Sequence, residues 1–446
     1  MSRTNTNANT SSNKPIAPGW RYQSVLVLAS IPILLYTVWQ AISLRQLDYL
    51  KQRLGFGFPH PSNKPIWLHA ASVGEAIAAQ PLIEALRSAH PQHKVMVTTM
   101  TPTGANIIRQ GVAKGDTGVS HCYLPFDWRN AAQRFISTIQ PCCTLIMETE
   151  LWPNLYHACA TAQVPLVIVN GRVSSRSLNT SAWVKQIYRN ALQNVSAVLA
   201  RSAVDADGYA ALGCAQEYIK VLGNLKYGAA KPLTDITAID LGRPFVLAAS
   251  THDDEELQIG KLWMQLLQQH PQQNQATNPL LVIAPRHPKR SAEIFKQLTS
   301  LNTSIAVRSK GEAITDDTVI YLADTLGELP GLMVNAMLVI MGGSFAPVGG
   351  HNVLEAAMLG KAILFGPHMF NFIDEAAGLL RQRAALQVDD VTGLQQAVTD
   401  LLQDNAKCKS YGDRAQLFMK ENRDIVAHYL SEIEAICDFT ADNKST

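Results

Sequence analysis

Charged side chains are scarce in this chain of 446 residues, and several familiar ligand-binding motifs are missing from it. Asp, Glu, Lys and Arg make up only 17% of the residues, a low share that hints at contact with a membrane. The net charge is only +2, so no strong basic field indicates a nucleic-acid partner. No GxxxxGKS segment is present, which argues against a Walker-type ATP site.

Cysteine and histidine patterns typical of metal sites are also missing. The seven cysteines are scattered without a CxxC pair, which predicts reduced thiols in a protein that faces the cytosol rather than a disulfide framework. No DxD segment follows a strand in a way that suits a metal–diphosphate site. His69, His252, His287 and His351 stand singly, as structural histidines usually do. We therefore predict neither a metal ion nor a cofactor.

The N-terminal region contains a long uncharged run. Residues 1–21 are polar and are expected to form a disordered tail. Residues 22–43 carry no charge, and as a helix they reach about 33 Å, enough for a hydrocarbon core of about 30 Å. We predict a single transmembrane anchor, with a buried core helix as the alternative. Basic residues flank both ends, so the positive-inside rule does not decide its orientation.

After this segment, short apolar runs rich in β-formers alternate with amphipathic helical patterns. This alternation is typical of parallel strands joined by crossover helices. The first series occupies residues 44–225 and begins with a basic helix, "LRQLDYLKQRL". A linker rich in Pro, Gly and Thr, 226–243, precedes a second series at 244–446, which ends in helices. We predict two α/β domains, with functional residues in the loops that follow strands, because ligands bind beyond the carboxyl ends of parallel strands.

Acidic residues follow two strands of the first domain. In "HAASVGEA", Glu75 stands at the start of a helix, where it is either a simple capping carboxylate or a general base that projects into a cleft. The helix dipole lowers its pKa and burial raises it, and the sequence does not show which effect is larger. In "METELWPNL", alternation in an extended segment predicts that Glu148 and Glu150 lie on one side.

Basic residues follow other strands or the domain junction. Arginine offers a planar fork for phosphate or carboxylate, and lysine offers a point charge. The residues concerned are Arg172, Arg176, Lys226, Arg286, His287, Lys289 and Arg290. Lys289 and Arg290 are predicted to be surface charges, whereas Arg286 directly follows the apolar run "VIAP" and is the better candidate for a ligand contact.

The segment "GGSFAPVGGHNVLEAA" combines two glycine pairs with a helix start. Glycines at Gly343 and nearby allow backbone amides beside Ser344 to approach an anion. Asn352 is suited to cap the helix that follows, and Glu355 lies one turn into it, where a carboxylate can accept hydrogen bonds from ribose hydroxyls. The segment therefore predicts a site for the phosphate and sugar of a nucleotide.

Together these motifs resemble the 3-deoxy-D-manno-oct-2-ulosonic acid (Kdo) transferases. The resemblance covers about residues 20–370 in the family's order, and it rests on "WLHAASVGE", "TTMTPTGA", "YLPFDW", "METELWPNL", "GNLKY", "ASTHDDEE", "APRHPKR", "DTLGELPGL" and "MGGSFAPVGGHNVLEAA". It implies two Rossmann-like domains facing a cleft, the GT-B type. It also implies a metal-independent, inverting transfer of Kdo from CMP-Kdo to the 6′-hydroxyl of a lipid A precursor, lipid IVA. The enzyme would lie at the inner membrane of a Gram-negative bacterium, with its catalytic domains in the cytoplasm.

The resemblance also implies roles for individual residues. Glu75 matches the general base, and Glu148 and Lys226 match a pair that stabilises the transition state. Independently of the resemblance, the residue types of the glycine-rich and basic loops make Gly343, Ser344 and Arg172 candidate contacts for the donor or its phosphate. The CMP site maps to Pro285, Arg286, Leu326, Gly327, Glu328, Asn352, Val353, Leu354 and Glu355.

Three positions depart from the family's pattern. "THDDEE" stands where "THEGEE" is expected, "LEAA" where "LEPA" is expected, and Gly171 where Ala is usual. Two other functions stay open: another nucleotide-sugar enzyme such as an epimerase, which needs no anchor, and a non-catalytic, membrane-tethered lipid-binding protein.

Overall fold

The computed structural model describes residues 14–113, 118–229, 236–269 and 279–439. The chain divides into two compact units, one formed by Met1–Ala229 with Asp424–Thr446 and the other by Ala230–Arg423. Most of the predicted polar tail and the middle of the predicted linker lie outside the described residues.

The described strands of the first unit form one parallel sheet in the order β3-β2-β1-β4-β5-β6-β7. Its central strands are buried along their whole length, as expected for a parallel sheet covered by helices. The strands are β1 Ile66–His69, β2 Val95–Thr99, β3 Val119–Tyr123, β4 Cys143–Met147, β5 Leu166–Gly171, β6 Ala197–Ala200 and β7 Ile219–Val221. The helices are α1 Trp20–Leu44, α2 Leu47–Arg53, α3 Val73–Ala89, α4 Pro102–Ala113, α5 Arg129–Ile139, α6 Pro153–Thr161, α7 Ser175–Leu178, α8 Ala182–Leu192 and α9 Ala203–Ala211.

The described strands of the second unit form a similar parallel sheet in the order β10-β11-β9-β8-β12-β13-β14. The strands are β8 Phe245–Thr251, β9 Leu280–Pro285, β10 Ile305–Val307, β11 Ile320–Leu322, β12 Leu338–Met341, β13 Ala362–Phe365 and β14 Ala385–Gln387. The helices are α10 Glu255–Gln269, α11 Ser291–Thr299, α12 Leu329–Asn335, α13 Leu354–Met358, α14 Ile373–Arg381, α15 Val391–Gln403 and α16 Asn405–Glu421. In both sheets the strand order reverses direction beside the first strand, as in doubly wound folds, which confirms the predicted fold class.

The last helix, α17 (Ile425–Ile436), belongs to the first unit, although the sequence predicted the terminal helices in the second domain. It packs against α3, and its Tyr429 hydroxyl donates a hydrogen bond of 2.9 Å to the carbonyl of Gly223. Just beyond it, Cys437 is disulfide-bonded to Cys143 in β4. The prediction of reduced thiols is therefore wrong for these two cysteines, which lie 294 residues apart and showed no spacing signal.

The predicted apolar segment forms α1, and α1 is the one helix among the described residues that is long and apolar enough to cross a membrane. Length and composition do not distinguish a span from a signal sequence or a core helix. The basic helix predicted after it is α2, and its Arg53 is buried and donates a hydrogen bond of 2.5 Å to the carbonyl of Leu124. The transmembrane assignment itself stays a prediction.

Candidate active site

Two adjacent strands carry the acidic residues of the first unit to one edge of its sheet. Strand β1 pairs in parallel with β4, and the register places His69 opposite Ile146. The segments that continue from these strands therefore run side by side. They carry Glu75 and the pair Glu148 and Glu150.

Glu75 is held at the first turn of α3 by a local hydrogen-bond network. Ser72 caps the helix, and its hydroxyl accepts the Glu75 N–H at 3.3 Å. In return the Glu75 carboxylate accepts the Ala71 N–H at 2.8 Å and the Ser72 hydroxyl at 2.9 Å. This arrangement resembles a capping box, so the capping contacts foreseen for Glu75 are present. They also fix the carboxylate in one orientation.

The pKa of the Glu75 carboxyl is raised, although the residue lies at the start of a helix. Glu75 is only 9% exposed, and burial, followed by the charge of Glu148, raises the pKa of its carboxyl to about 7. The hydrogen bonds from Ala71 and Ser72 lower the pKa by less. Burial and a like charge thus outweigh these two hydrogen bonds, and a pKa of about 7 suits a general base at neutral pH.

Glu148 has an unusual backbone conformation. Its φ is +53°, in the left-handed region that non-glycine residues rarely adopt. Its N–H donates to the carbonyl of Val169 at 2.9 Å, and its own carbonyl accepts the Tyr209 hydroxyl at 2.8 Å. The assumption that Glu148 and Glu150 sit on an extended segment is therefore wrong, because the chain turns at Glu148 directly after β4.

Lys226 lies at the same edge of this sheet. It belongs to a 3₁₀ turn, Leu225–Ala229, which packs against α3, the helix that carries Glu75. The turn is fixed to the end of β5, because the Leu225 N–H donates to the side-chain oxygen of Asn170 at 2.9 Å. Arg172 follows β5 and is half-buried. The structure therefore brings Glu75, Glu148 and Lys226 to one edge of the sheet, and their catalytic roles stay predictions.

In the second unit, predicted CMP-site residues from two separate motifs line one small cavity. The cavity has a volume of about 100 Å³. Its lining includes Pro285, Arg286, Leu326, Gly327 and Glu328. Arg286 is anchored at the end of β9, where its N–H donates to the carbonyl of Thr251 at 3.0 Å.

The Glu328 carboxylate is engaged by an arginine that the sequence did not single out. Arg308 donates to it through two nitrogens, at 2.5 Å and 2.7 Å, and Thr325 donates through its hydroxyl. The Arg308 guanidinium, followed by the Thr325 hydroxyl, lowers the pKa of Glu328 to about 2. Arg308 follows a short edge strand rather than a recognisable motif, so the sequence offered no signal for it. Arg308 and Thr325 thus hold the Glu328 side chain in place at the lining of the cavity.

Backbone N–H groups of the loop at the first glycine pair donate hydrogen bonds to a carboxylate of this same chain. The buried carboxylate of Glu255 accepts the N–H of Gly343 at 2.7 Å, of Phe345 at 3.0 Å and of His252 at 2.9 Å. The Ser344 hydroxyl donates to the carbonyl of Met341 at 2.5 Å. The N–H of Gly343 and the hydroxyl proton of Ser344 are therefore already in use. Glu255 belongs to the motif "ASTHDDEE", and this motif is the feature of the sequence from which its contact with the glycine loop could have been predicted.

The second half of the glycine-rich segment lies near Arg286. Asn352 accepts the N–H of Leu354, the first residue of α13, at 3.1 Å, and it donates to the carboxylate of Glu355 at 3.3 Å. Burial raises the pKa of Glu355, while the Asn352 hydrogen bond and then the charge of Arg286 lower it. Val353 is buried beneath this turn. Residues 352–355 and Arg286 are thus brought together.

Three histidines predicted to stand singly lie close together. The Nε2 atoms of His252 and His351 are 2.8 Å apart, and the rings of His252 and His287 have centroids 5.7 Å apart. Burial, followed by the charges of His252 and Arg286, lowers the pKa of His351 to about 4, so this ring is neutral at pH 7. Among the described residues, no group of three or more His, Cys, Asp and Glu side chains is placed to hold a metal ion.

Arg290 is also not a simple surface charge, contrary to the sequence prediction. It pairs with the buried carboxylate of Glu256 at 3.0 Å and with Asp253 at 2.8 Å. Lys289 is exposed, as predicted.

Solved structures of other proteins share the fold of this chain. The UDP-GlcNAc 2-epimerase from Neisseria meningitidis superposes with a TM-score of 0.53 at 13% identity, over 84% of this chain and 100% of that one. A glycosyltransferase from Rickettsia africae gives a TM-score of 0.51 at 13% identity, over 84% and 99%. At such low identity the similarity concerns the fold alone. It agrees with two Rossmann-like units of the GT-B type.

Sequence relatives define the family. Residues 48–229 match a family model described as 3-deoxy-D-manno-octulosonic-acid transferase (kdotransferase). The 3-deoxy-D-manno-octulosonic acid transferase of Haemophilus influenzae is 33% identical over 417 residues, which is 91% of this chain and 96% of that protein. The enzyme of Bordetella pertussis is also 33% identical, over 86% of this chain and 90% of that protein. The chain belongs to the Kdo transferase family and is a glycosyltransferase.

Proposed function

We propose that the chain transfers Kdo from CMP-Kdo to the 6′-hydroxyl of the lipid A precursor lipid IVA and releases CMP. Membership of the Kdo transferase family supports the transferred sugar. The observation that carries the mechanism is the buried Glu75, whose pKa is raised to about 7 beside Glu148. A carboxylate with this pKa is suited to remove a proton from an attacking alcohol at neutral pH.

In the proposed step, Glu75 takes the proton of the acceptor hydroxyl as its oxygen attacks the anomeric carbon of Kdo. The new carbon–oxygen bond forms on the face opposite the departing CMP, so the configuration inverts. The bond between that carbon and the phosphate oxygen breaks, and its electron pair leaves with CMP. Lys226 and Glu148 stabilise the charges that develop, and no metal ion takes part.

CMP is assigned to the second unit. Arg286 is exposed at the rim of the cavity lined by Pro285 and residues 326–328, where its guanidinium meets the phosphate. Residues 352–355 lie near Arg286, and Glu355 accepts hydrogen bonds from ribose hydroxyls. Arg172 is a further cation for the donor. Because the N–H of Gly343 and the hydroxyl of Ser344 are engaged within the chain, we assign them to shaping this loop rather than to binding phosphate.

The acceptor is a lipid, so we place the enzyme at the inner membrane of a Gram-negative bacterium with both units in the cytoplasm. The apolar helix α1 supports contact with that membrane. The first unit then receives the acceptor and the second binds the CMP-sugar.

The test is a reaction of the purified full chain with CMP-Kdo and lipid IVA, followed by mass spectrometry of the lipid. We expect a product heavier by whole Kdo residues, with one CMP released for each. Glu75→Gln should lower the rate at least about a hundredfold, because the base is lost while the shape is kept.

Glu84→Gln is the matched control, since Glu84 is exposed on the same helix and should leave the rate unchanged. Full activity of Glu75→Gln would exclude the assigned base. Epimerisation of UDP-GlcNAc in place of Kdo transfer would contradict the proposed reaction.

A further inference from the structure

Helix α1 is bonded to the first unit near both of its ends. Near the N-terminal end, the Tyr22 hydroxyl donates to the carboxylate of Asp127 at 2.7 Å. The Gln23 amide donates to the side-chain oxygen of Asn154 at 2.6 Å. Near the C-terminal end, Gln40 accepts the Tyr49 hydroxyl at 2.6 Å. The helix therefore lies along the unit rather than projecting from it.

The N-terminal attachment is built into the interior of the unit. Asp127 is only 5% exposed, and besides Tyr22 it accepts the N–H groups of Asn154 at 2.9 Å and Leu155 at 2.8 Å. These residues begin α6, directly after the loop that carries Glu148 and Glu150. Moving the start of α1 away would leave a buried carboxylate without one of its donors, which is costly.

The side of α1 that faces the unit carries polar side chains at regular spacing. Gln23, Ser30 and Thr37 are seven residues apart and fall on one side of a helix. Thr37 and Ala41 are 1% and 2% exposed, and Ala41 packs with Tyr49 and other core residues. The polar stripe is therefore turned toward protein.

The opposite side of α1, here called the outer face, is apolar and exposed. Its side chains are Val27, Leu28, Ile31, Leu35, Trp39 and Ile42, each between 63% and 78% exposed. An uncovered apolar strip of this length indicates a partner. Exposed cations border the strip, with Arg21 and Arg45 beside its ends and Lys51 on α2. Apolar side chains edged by basic residues match a membrane surface that carries anionic headgroups.

We infer that α1 lies in the plane of one membrane leaflet, with its outer face inserted among anionic lipids, and does not cross the bilayer. A helix of 25 residues reaches about 37 Å, and a span would place its ends on opposite sides of a hydrocarbon core of about 30 Å. Both end regions are instead bonded to the same folded unit. The inference replaces the predicted span of residues 22–43 and is independent of which sugar the enzyme transfers.

The first test locates the chain termini. Full-length protein with an N-terminal or a C-terminal epitope tag is expressed in a Gram-negative host, and intact spheroplasts are treated with protease. An in-plane helix leaves both tags on the cytoplasmic side, so both should survive until the membrane is lysed. Digestion of the N-terminal tag in intact spheroplasts, with the C-terminal tag protected, would show a span and overturn the inference.

The second test identifies what covers the outer face. The triple variant Leu28→Gln, Ile31→Gln, Leu35→Gln should bind vesicles of phosphatidylglycerol and phosphatidylethanolamine at least about tenfold more weakly than the parent. Leu417→Gln is the control, because Leu417 is 54% exposed on α16 in the other unit and should leave binding unchanged.

Two readouts keep this test decisive. Circular dichroism of the triple variant should match the parent, since the altered side chains are exposed. Unchanged vesicle binding by the triple variant would overturn the assignment of the outer face to a membrane. If the variant also converts a dimer of the parent into a monomer while vesicle binding is retained, the partner of the outer face is another copy of the chain.

Discussion

The carboxyl of Glu75 is influenced by groups that lie far from it in the sequence. Glu148 and Glu150 follow a different strand, yet their charges help to raise the pKa of Glu75, after the larger effect of burial. A general base must be ionised, so a raised pKa moves the acid limb of the rate profile upward. We expect kcat/KM to fall about tenfold for each pH unit below about 7, rather than below the ordinary value near 4.5.

The charge of Glu148 is the second-largest cause of the raised pKa of Glu75, so its removal should shift the pH profile in a known direction. Glu148→Gln should shift the acid limb of kcat/KM to lower pH, because a like charge that opposed ionisation of Glu75 is gone. Glu150→Gln should shift it less, since Glu150 is the weakest contributor to the pKa of Glu75. The measurement is the pH dependence of kcat/KM for each variant, whatever its maximal rate. An unmoved limb in Glu148→Gln would show that the titrating group is not Glu75.

The sequence identified Glu75 as a site candidate but left its ionisation open. Whether burial exceeds the effect of a helix N-terminus depends on packing around residue 75, which a local motif does not contain. The same limit explains His252 and His351, which are 99 residues apart and share a contact only after folding. Arg308 was missed for a similar reason, because its partner Glu328 is 20 residues away on another loop.

At the scale of elements, the glycine turn after β12 depends on the start of α10. Glu255→Gln replaces an anion that accepts four backbone N–H groups by an amide whose NH₂ faces some of those donors. We expect the second unit to lose about 2–4 kcal/mol of stability. Urea denaturation measures this loss. Glu293→Gln, at a side chain 57% exposed in the same unit, should change stability little. Equal stability of the two variants would contradict this role for Glu255.

The sequence predicted the central strands because they are apolar along their whole length and buried on both faces. Strands β3, β7 and β14 do not have this pattern, so the sequence alone does not predict them. Strand β3 contains Ser120 and His121 and so lacks a continuous apolar run, while β7 and β14 are three-residue edge strands with exposed side chains. The turn at Glu148 was missed because a left-handed residue is expected to be Gly or Asn.

At the scale of the whole molecule, the two units are not consecutive segments, because α17 returns to the first. Its Ile425, Tyr429 and Ile433 are buried. Tyr429→Ala should destabilise the first unit by about 3–5 kcal/mol, since it removes a fully buried ring and leaves a cavity.

Calorimetry of the full chain measures this loss as a lower melting temperature for one of two transitions. Leu417→Ala is the control, because Leu417 is 54% exposed on α16 of the other unit. A shift confined to the transition of the second unit would contradict the assignment of α17.

The return of α17 also has a consequence for synthesis. Translation delivers residues 230–423 before Tyr429 leaves the ribosome, so the surface of α3 that receives α17 stays uncovered while the second unit is made. Domains usually fold as units in the order of their synthesis. Here the portion begun first is the last to be completed, and a nascent chain that stalls before residue 424 presents a bare apolar surface to chaperones.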